Sequence, residues 1–386
     1  MTVGLVSVLL GLLIIAAPAH ATVITVHEPS PASYLSFGNS IDSANGLLIV
    51  GSPLHNGQNG EAFVFDAITG SLIRTLLSPN TQSGGAFGWS VEVSGDIIAV
   101  SAPDDTVNGI QGAGRVYIFD AMTGSLLDTL VSSSPQGGTF GRAVDLADGL
   151  LAVGAPFESV NGVQAGRVHI FDVRTGSEIT TLVSPNPEAN GIFGAKIEMS
   201  GNHIIVGALG ESHLTGRAYV FSATTGVLIS TLVSPKAPNE LLFGSSIAVT
   251  NQLAFVGSPD ETADGITISS SVYVFNITTG SLVRTIVDPN AQNGGRFGFS
   301  LKLAGNSLIV GAPSDMVSAS TLGRVYVFNA ATGSLTATMV SPDTGVSGSP
   351  GSFGNAVDSA NGRVYVGAPS QMVNGQLWAG SVYIFA

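Results

Sequence analysis

A seven-bladed, all-β propeller of four-stranded antiparallel blades is the fold this chain predicts, and three observations predict it. A Phe-Gly pair recurs at Phe37, Phe87, Phe140, Phe193, Phe243, Phe297 and Phe353, at intervals of roughly 50 to 56 residues, the long end of the periods found in blade-like repeats. Each pair is followed by an apolar run that closes on Gly51-Ser52-Pro53, Ser101-Ala102-Pro103, Gly154-Ala155-Pro156, Gly207-Ala208-Leu209, Gly257-Ser258-Pro259, Gly311-Ala312-Pro313 or Gly367-Ala368-Pro369. Only 10% of residues are charged while 50 are glycine, the composition of many short strands joined by turns.

Taken in order, the chain opens on an apolar, uncharged stretch, residues 1–21, that ends in Ala19-His20-Ala21 and reads as a signal peptide. The run Val3 to Ala17 falls short of the roughly 18 to 20 residues a spanning helix needs. Residues 22–386 then form one closed propeller domain. In the second unit, Phe87 to Val93, Ile97 to Val100, Arg115 to Phe119 and Ser125 to Val131 read as the four strands of a blade. Ile97-Ile98-Ala99-Val100 and Val116-Tyr117-Ile118-Phe119 are apolar at consecutive positions, so both faces of the small sheet are buried, as they are when blades pack side by side.

The turns repeat as well. Ser94-Gly95-Asp96, Asp148-Gly149, Gly201-Asn202, Gly305-Asn306 and Asn361-Gly362 suit tight hairpins between first and second strands. A Thr-Gly pair between third and fourth strands occurs six times, at Thr69, Thr123, Thr175, Thr225, Thr279 and Thr332, because the chain stops after Val382-Tyr383-Ile384-Phe385. Val23 to Pro29 stands before Phe37 as Ile73 to Pro79 stands before Phe87, so the amino-terminal strand is expected to complete the last blade and remove its open edge.

A net charge of −13 repels a phosphate backbone and argues against nucleic acid as a partner. There is no cysteine for thiolate metal sites, the histidines fall at unrelated positions of the repeat, and no His-Glu-x-x-His, Gly-x-Ser-x-Gly or Gly-x-x-x-x-Gly-Lys motif is present. The reading is therefore of a chain that is not an enzyme, with no cofactor and no metal.

The phased Phe-Gly and Gly-Ala-Pro signatures resemble the FG-GAP repeats of the integrin alpha-chain propeller and its bacterial relatives, over nearly the whole chain after residue 21. The resemblance implies a seven-bladed propeller with adhesive or ligand-binding roles. Many such repeats carry an Asp-x-Asp-x-Asp-Gly calcium loop between their first two strands. Here those positions hold short turns such as Ser94-Gly95-Asp96 and Thr250-Asn251-Gln252, with too few carboxylates for calcium. The Asp-x-x-Thr-Gly segments look, more distantly, like quinoprotein propeller repeats; turn chemistry accounts for them without a cofactor.

Strand direction gathers every long connection on one face of the disc, opposite the tight turns, and that long-loop face is the expected binding face. Asp104, Asp105, Glu158, Asp260, Glu261 and Trp378 are its candidate ligand-binding residues, with an extracellular protein or glycan as partner and the chain itself a monomer. The loop acids, Asp264 and Asp315 included, read more simply as solvated carboxylates than as cation ligands. Arg115, Arg167, Arg217 and Arg324, at the start of third strands, are placed to pair with them. Two rival readings differ in what they require. A propeller enzyme (lyase, hydrolase or quinoprotein-like) needs charged residues converging in one blade or in the axial channel, whereas a structural surface component needs neither.

Overall fold

Leu48-Ile49-Val50 and Ile98-Ala99-Val100 offer no polar side to water, and all six residues are fully buried. The computed structural model describes residues 22–80, 84–237, 240–261, 270–290, 294–318, 321–343 and 351–386, and shows how this is achieved. The leader read over residues 1–21 lies outside the described residues. Seven four-stranded antiparallel sheets form the molecule. Their first strands, Ile41–Ala44, Val91–Ser94, Ala143–Ala147, Phe193–Ser200, Ser246–Val249, Ser300–Ala304 and Ala356–Ala360, each touch the next, and the seventh touches the first. The ring is closed, and a channel runs along its axis.

Blade 2 is representative: Val91–Ser94, Ile97–Ala102, Arg115–Asp120 and Leu126–Leu130, paired in that order. Its first strand starts at Val91 and not at Phe87, because Ala86 (φ 55°) and Gly88 (φ 87°) turn the backbone before pairing begins. Only in blade 4 does the first strand reach back to its Phe, with an irregular register between Phe193 and Lys196. The apolar run that closes on Gly311-Ala312-Pro313 does not end its strand: in blade 6 Ser307–Ser318 continues past Pro313 through a shifted register.

Blade 7 is built from both ends of the chain. Val23–His27 pairs antiparallel with Ser381–Phe385, from Val23 opposite Phe385 to His27 opposite Ser381. His27 Nδ1 lies 3.0 Å from Ser381 Oγ. The amino-terminal strand thus covers an edge that would otherwise be open.

The core is a set of wedges between blades. Phe87 is fully buried and meets Tyr117 at 5.6 Å and Phe119 edge-on at 6.1 Å within its own blade, while Ile49, Ala62, Val64 and Leu76 of blade 1 pack against the same cluster. The seam closes so tightly that a Cβ on Gly51 would lie 2.0 Å from the Gly88 carbonyl oxygen, and one on Gly60 2.0 Å from that of Phe87. These contacts explain the glycines of the repeat: backbone packs on backbone from blade to blade.

The Asp-x-x-Thr-Gly turns are self-contained. Asp66 Oδ1 accepts from the Ile68 and Thr69 amides at 3.0 and 2.7 Å and from the Thr69 hydroxyl at 2.9 Å. Bonds from Thr69 above all hold its carboxyl below the ordinary aspartate range, as those from Thr123 do for Asp120. Apart from one short turn of helix, His55–Gln58, the described structure is strands and loops, and no helix among the described residues is long and apolar enough to cross a membrane.

Candidate binding funnel on the ring axis

Four residues past the Gly of each Phe-Gly pair, at mid-depth of the first strands, stand Asp42, Glu92, Asp145, Glu198, Ala248, Lys302 and Asp358. Six of seven blades thus aim a charged residue at the axis. Lys302 Nζ reaches Asp358 Oδ1 at 2.7 Å and, one blade further on, Asp42 Oδ1 at 3.2 Å. Asp42 Oδ2 accepts from the Val93 amide at 2.7 Å, the Met199 amide donates to Asp145 Oδ2, and the Ser43 hydroxyl donates to Asp358 Oδ2. These bonds tie the first strands of blades 6, 7, 1 and 2 in series and that of blade 3 to that of blade 4.

Enclosure and mutual repulsion decide which of the acids are charged. Burial, reinforced by the charges of Asp42 and Asp145, holds the Glu92 carboxyl well above its ordinary range; burial and Asp145 do the same for Glu198. Burial pushes Asp145 up to about 7, against the pull of Lys302 and the Met199 amide. Asp42 is raised by burial and only partly restored by Lys302. For Lys302 burial disfavours the ammonium, yet Asp358, Asp42, Glu198 and Glu92 together push it well above the usual lysine range. The ring therefore favours a charged Lys302 bracketed by aspartates and the protonated forms of Glu92 and Glu198, which can both donate and accept hydrogen bonds.

Above this ring, where the first strands begin, the channel widens into a funnel of about 570 Å³ that opens on the long-loop face. The Arg142 guanidinium stacks 4.0 Å from the Trp89 ring centroid, and that of Arg296 lies 4.5 Å from the Phe299 ring. Lys196 projects into the same space, and enclosure together with the neighbouring Arg142 charge lowers its ammonium from the usual range. Phe157, Leu209 and Leu242, from the loops that vary most between repeats, complete the wall. The collar is cationic and aromatic over an acidic floor, in a protein of net charge −13.

The residues singled out from sequence divide between this face and the scaffold. Asp104 is exposed at the rim, its carboxyl raised by burial on one side and lowered by the Arg142 charge. Asp105 and Glu158 are not on the surface: they are 1% and 0% exposed. Asp105 Oδ2 accepts from the Tyr117 hydroxyl at 2.6 Å and lies 3.2 Å from Arg115 Nη1, while Glu158 Oε2 lies 3.0 Å from His169 Nε2 and 3.8 Å from Arg167 Nε. Glu211 with Tyr219, and Asp315 with Tyr326, repeat the arrangement. The reading of these acids as solvated is corrected: the second position after Pro or Leu turns inward to satisfy the residue that stands third on strand three. The predicted pairing with arginine holds at Arg115 and Arg167. Asp260 and Glu261 form a short ladder with Leu241 and Glu240, but their side chains, and Asp264, lie outside the described residues. Trp378 is 45% exposed and packs against Tyr34, ring centroids 6.1 Å apart, away from the funnel.

Residues 71–119, from the outer strand of blade 1 through the third strand of blade 2, match the family model of the FG-GAP repeat. The chain is a seven-bladed β-propeller that carries an FG-GAP repeat. No curated protein matches it. The matched unit straddles two blades, the same offset that leaves the last blade of this FG-GAP propeller to be completed by Val23–His27. Among its described residues no group of three or more His, Asp or Glu is arranged to hold a metal ion. The funnel residues were missed from sequence because no two lie close in the chain. The signal that finds them is position: at one fixed phase after each Phe-Gly a charge stands in six of seven units of a chain in which only 10% of residues are charged.

Proposed function

We propose that this FG-GAP propeller is an exported binding module that takes an extracellular protein or glycan on its long-loop face, centred on the axial funnel. The observation that carries the reading is the collar of Trp89, Phe299, Arg142, Arg296 and Lys196, set where the long, unequal connections converge, whereas the opposite face carries tight turns. Ligands of rigid scaffolds sit on such loops, and a concave mouth with a few convergent polar groups is the usual form of a binding site. Export is read from the leader pattern of residues 1–21. The test is a binding screen of residues 22–386 against glycans and extracellular proteins, repeated with Trp89→Ala and Arg142→Gln and with Asn202→Ala and Asn306→Ala on the tight-turn face. Loss of binding with the second pair and not the first would refute it.

A second reading, catalysis, is favoured by one observation, the convergence of Glu92, Glu198, Asp145 and Lys302 in the channel with carboxyls held above their usual range. Each ligand found by the screen is to be incubated with the protein and followed for product. Turnover abolished by Glu92→Gln or Glu198→Gln would decide for it.

A further inference from the structure

Resting on the long-loop face as the binding face, we propose that the funnel takes the acidic end of a carbohydrate, a uronic-acid residue whose carboxylate sits at the collar and whose hydroxyls point to the floor. Three features carry this. Arg142 and Lys196 line the same mouth as neighbouring like charges, and Asp104 stands at the rim beside Arg142. Two cations held together in this way are unfavourable until an anion lies between them, and a guanidinium fork suits a carboxylate.

Trp89 and Phe299 line the same mouth, one face of each already stacked by Arg142 and Arg296, and the aromatic surface left to the funnel suits the C–H face of a pyranose as it suits other apolar surface. Below them Glu92 and Glu198 line the funnel, and their protonated forms, favoured by enclosure and neighbouring acids, present both a donor and an acceptor to hydroxyl groups. A space of about 570 Å³ holds one or two sugar units.

The experiment is calorimetric titration of residues 22–386 with digalacturonate, with a neutral disaccharide such as cellobiose, and with inorganic phosphate, at pH 7. Saturable binding of digalacturonate at least about tenfold tighter than cellobiose and phosphate is expected, weakened about tenfold or more by Arg142→Gln or Lys196→Met. Equal binding of cellobiose removes the role of the carboxylate. Equal binding of phosphate reduces the site to one for simple anions, and absence of saturable binding to all three overturns the proposal. Lys196→Met leaves the strand hydrogen bonds in place, and the comparison of ligands on the unmodified chain decides the matter even if Arg142→Gln fails to fold. A partner found by the wider screen that is sensitive to Trp89→Ala, with no uronate binding, would sink this inference and leave the binding-face reading standing.

Discussion

At the scale of single residues, the hydroxyl of a third-strand tyrosine and the carboxylate two places beyond the Gly-Ala-Pro turn form a buried latch, as in Tyr117 with Asp105 and Tyr326 with Asp315. Removing the donor strands a buried acceptor, so Tyr117→Phe should cost about 1–3 kcal/mol in urea unfolding. Blade 3 uses His169, fully buried between Glu158 at 3.0 Å and Glu178 at 2.8 Å. Burial lowers its basicity, but the two glutamates prevail and hold it above the ordinary histidine value. The stability it contributes is complete below the unfolded value of about 6.5 and is lost as pH rises through the raised folded value. His169→Tyr, which copies the latch of three other blades, should fold and remove that part of the pH dependence; unchanged dependence would show that the imidazole is not its source. These latches were hidden in the sequence because an acid after a proline looks like a loop residue. Their fixed phase was the clue, since what recurs at one position from unit to unit is scaffold.

Elements were the most legible scale. Consecutive apolar residues gave the second and third strands almost to the residue, and the Thr-Gly and Asn-Gly turns gave the hairpins. The first strand was read four residues too long in blade 2, because Phe87 is as apolar as a strand residue while the φ of 87° at Gly88 is a property of the seam. That seam sets a test. Gly51 is not in a left-handed conformation, so Gly51→Ala probes only the missing space beside the Gly88 carbonyl and should cost about 3 kcal/mol or more. Gly95→Asn, at φ 61° in an open turn, should stay within about 0.5 kcal/mol. Equal effects in thermal unfolding would contradict backbone-on-backbone packing between blades.

For the whole molecule, the charged ring makes stability depend on pH in an unusual direction. Asp145 at about 7 and, at the seam of blades 5 and 6, Asp288 at about 6 lie above the ordinary aspartate value of 3.8, both mainly through burial. The folded state binds those protons more tightly than the unfolded chain, so their contribution to stability falls as pH rises from about 4 to about 7. The melting temperature should therefore rise between pH 7.5 and pH 5.5, and Asp145→Asn should flatten that slope. Lys302→Met should cost about 3 kcal/mol at pH 7.5 by leaving Asp42 and Asp358 unneutralised, and less at pH 5. Deleting residues 22–29 should expose the edge of Ser381–Phe385 and produce lower melting and self-association, read by light scattering; an unchanged monomer would mean the shared blade adds nothing. Seven blades and their closure were legible because periodicity is a property of the entire chain. The funnel was not, since it exists only once all seven first strands have been brought to one axis.

The shared blade also sets a clock. His27 and Ser381, which meet in it, are 354 positions apart. At the roughly 5 to 20 residues per second of synthesis, the first strand waits on the order of 20 to 70 s for its partner, while complete blades can stack behind it as they emerge. During that interval Val23, Ile24 and Val26 are an unpaired apolar strand beside an unfinished arc, a target for any chaperone that holds extended segments. The last event in forming this ring is therefore the meeting of its oldest and youngest residues.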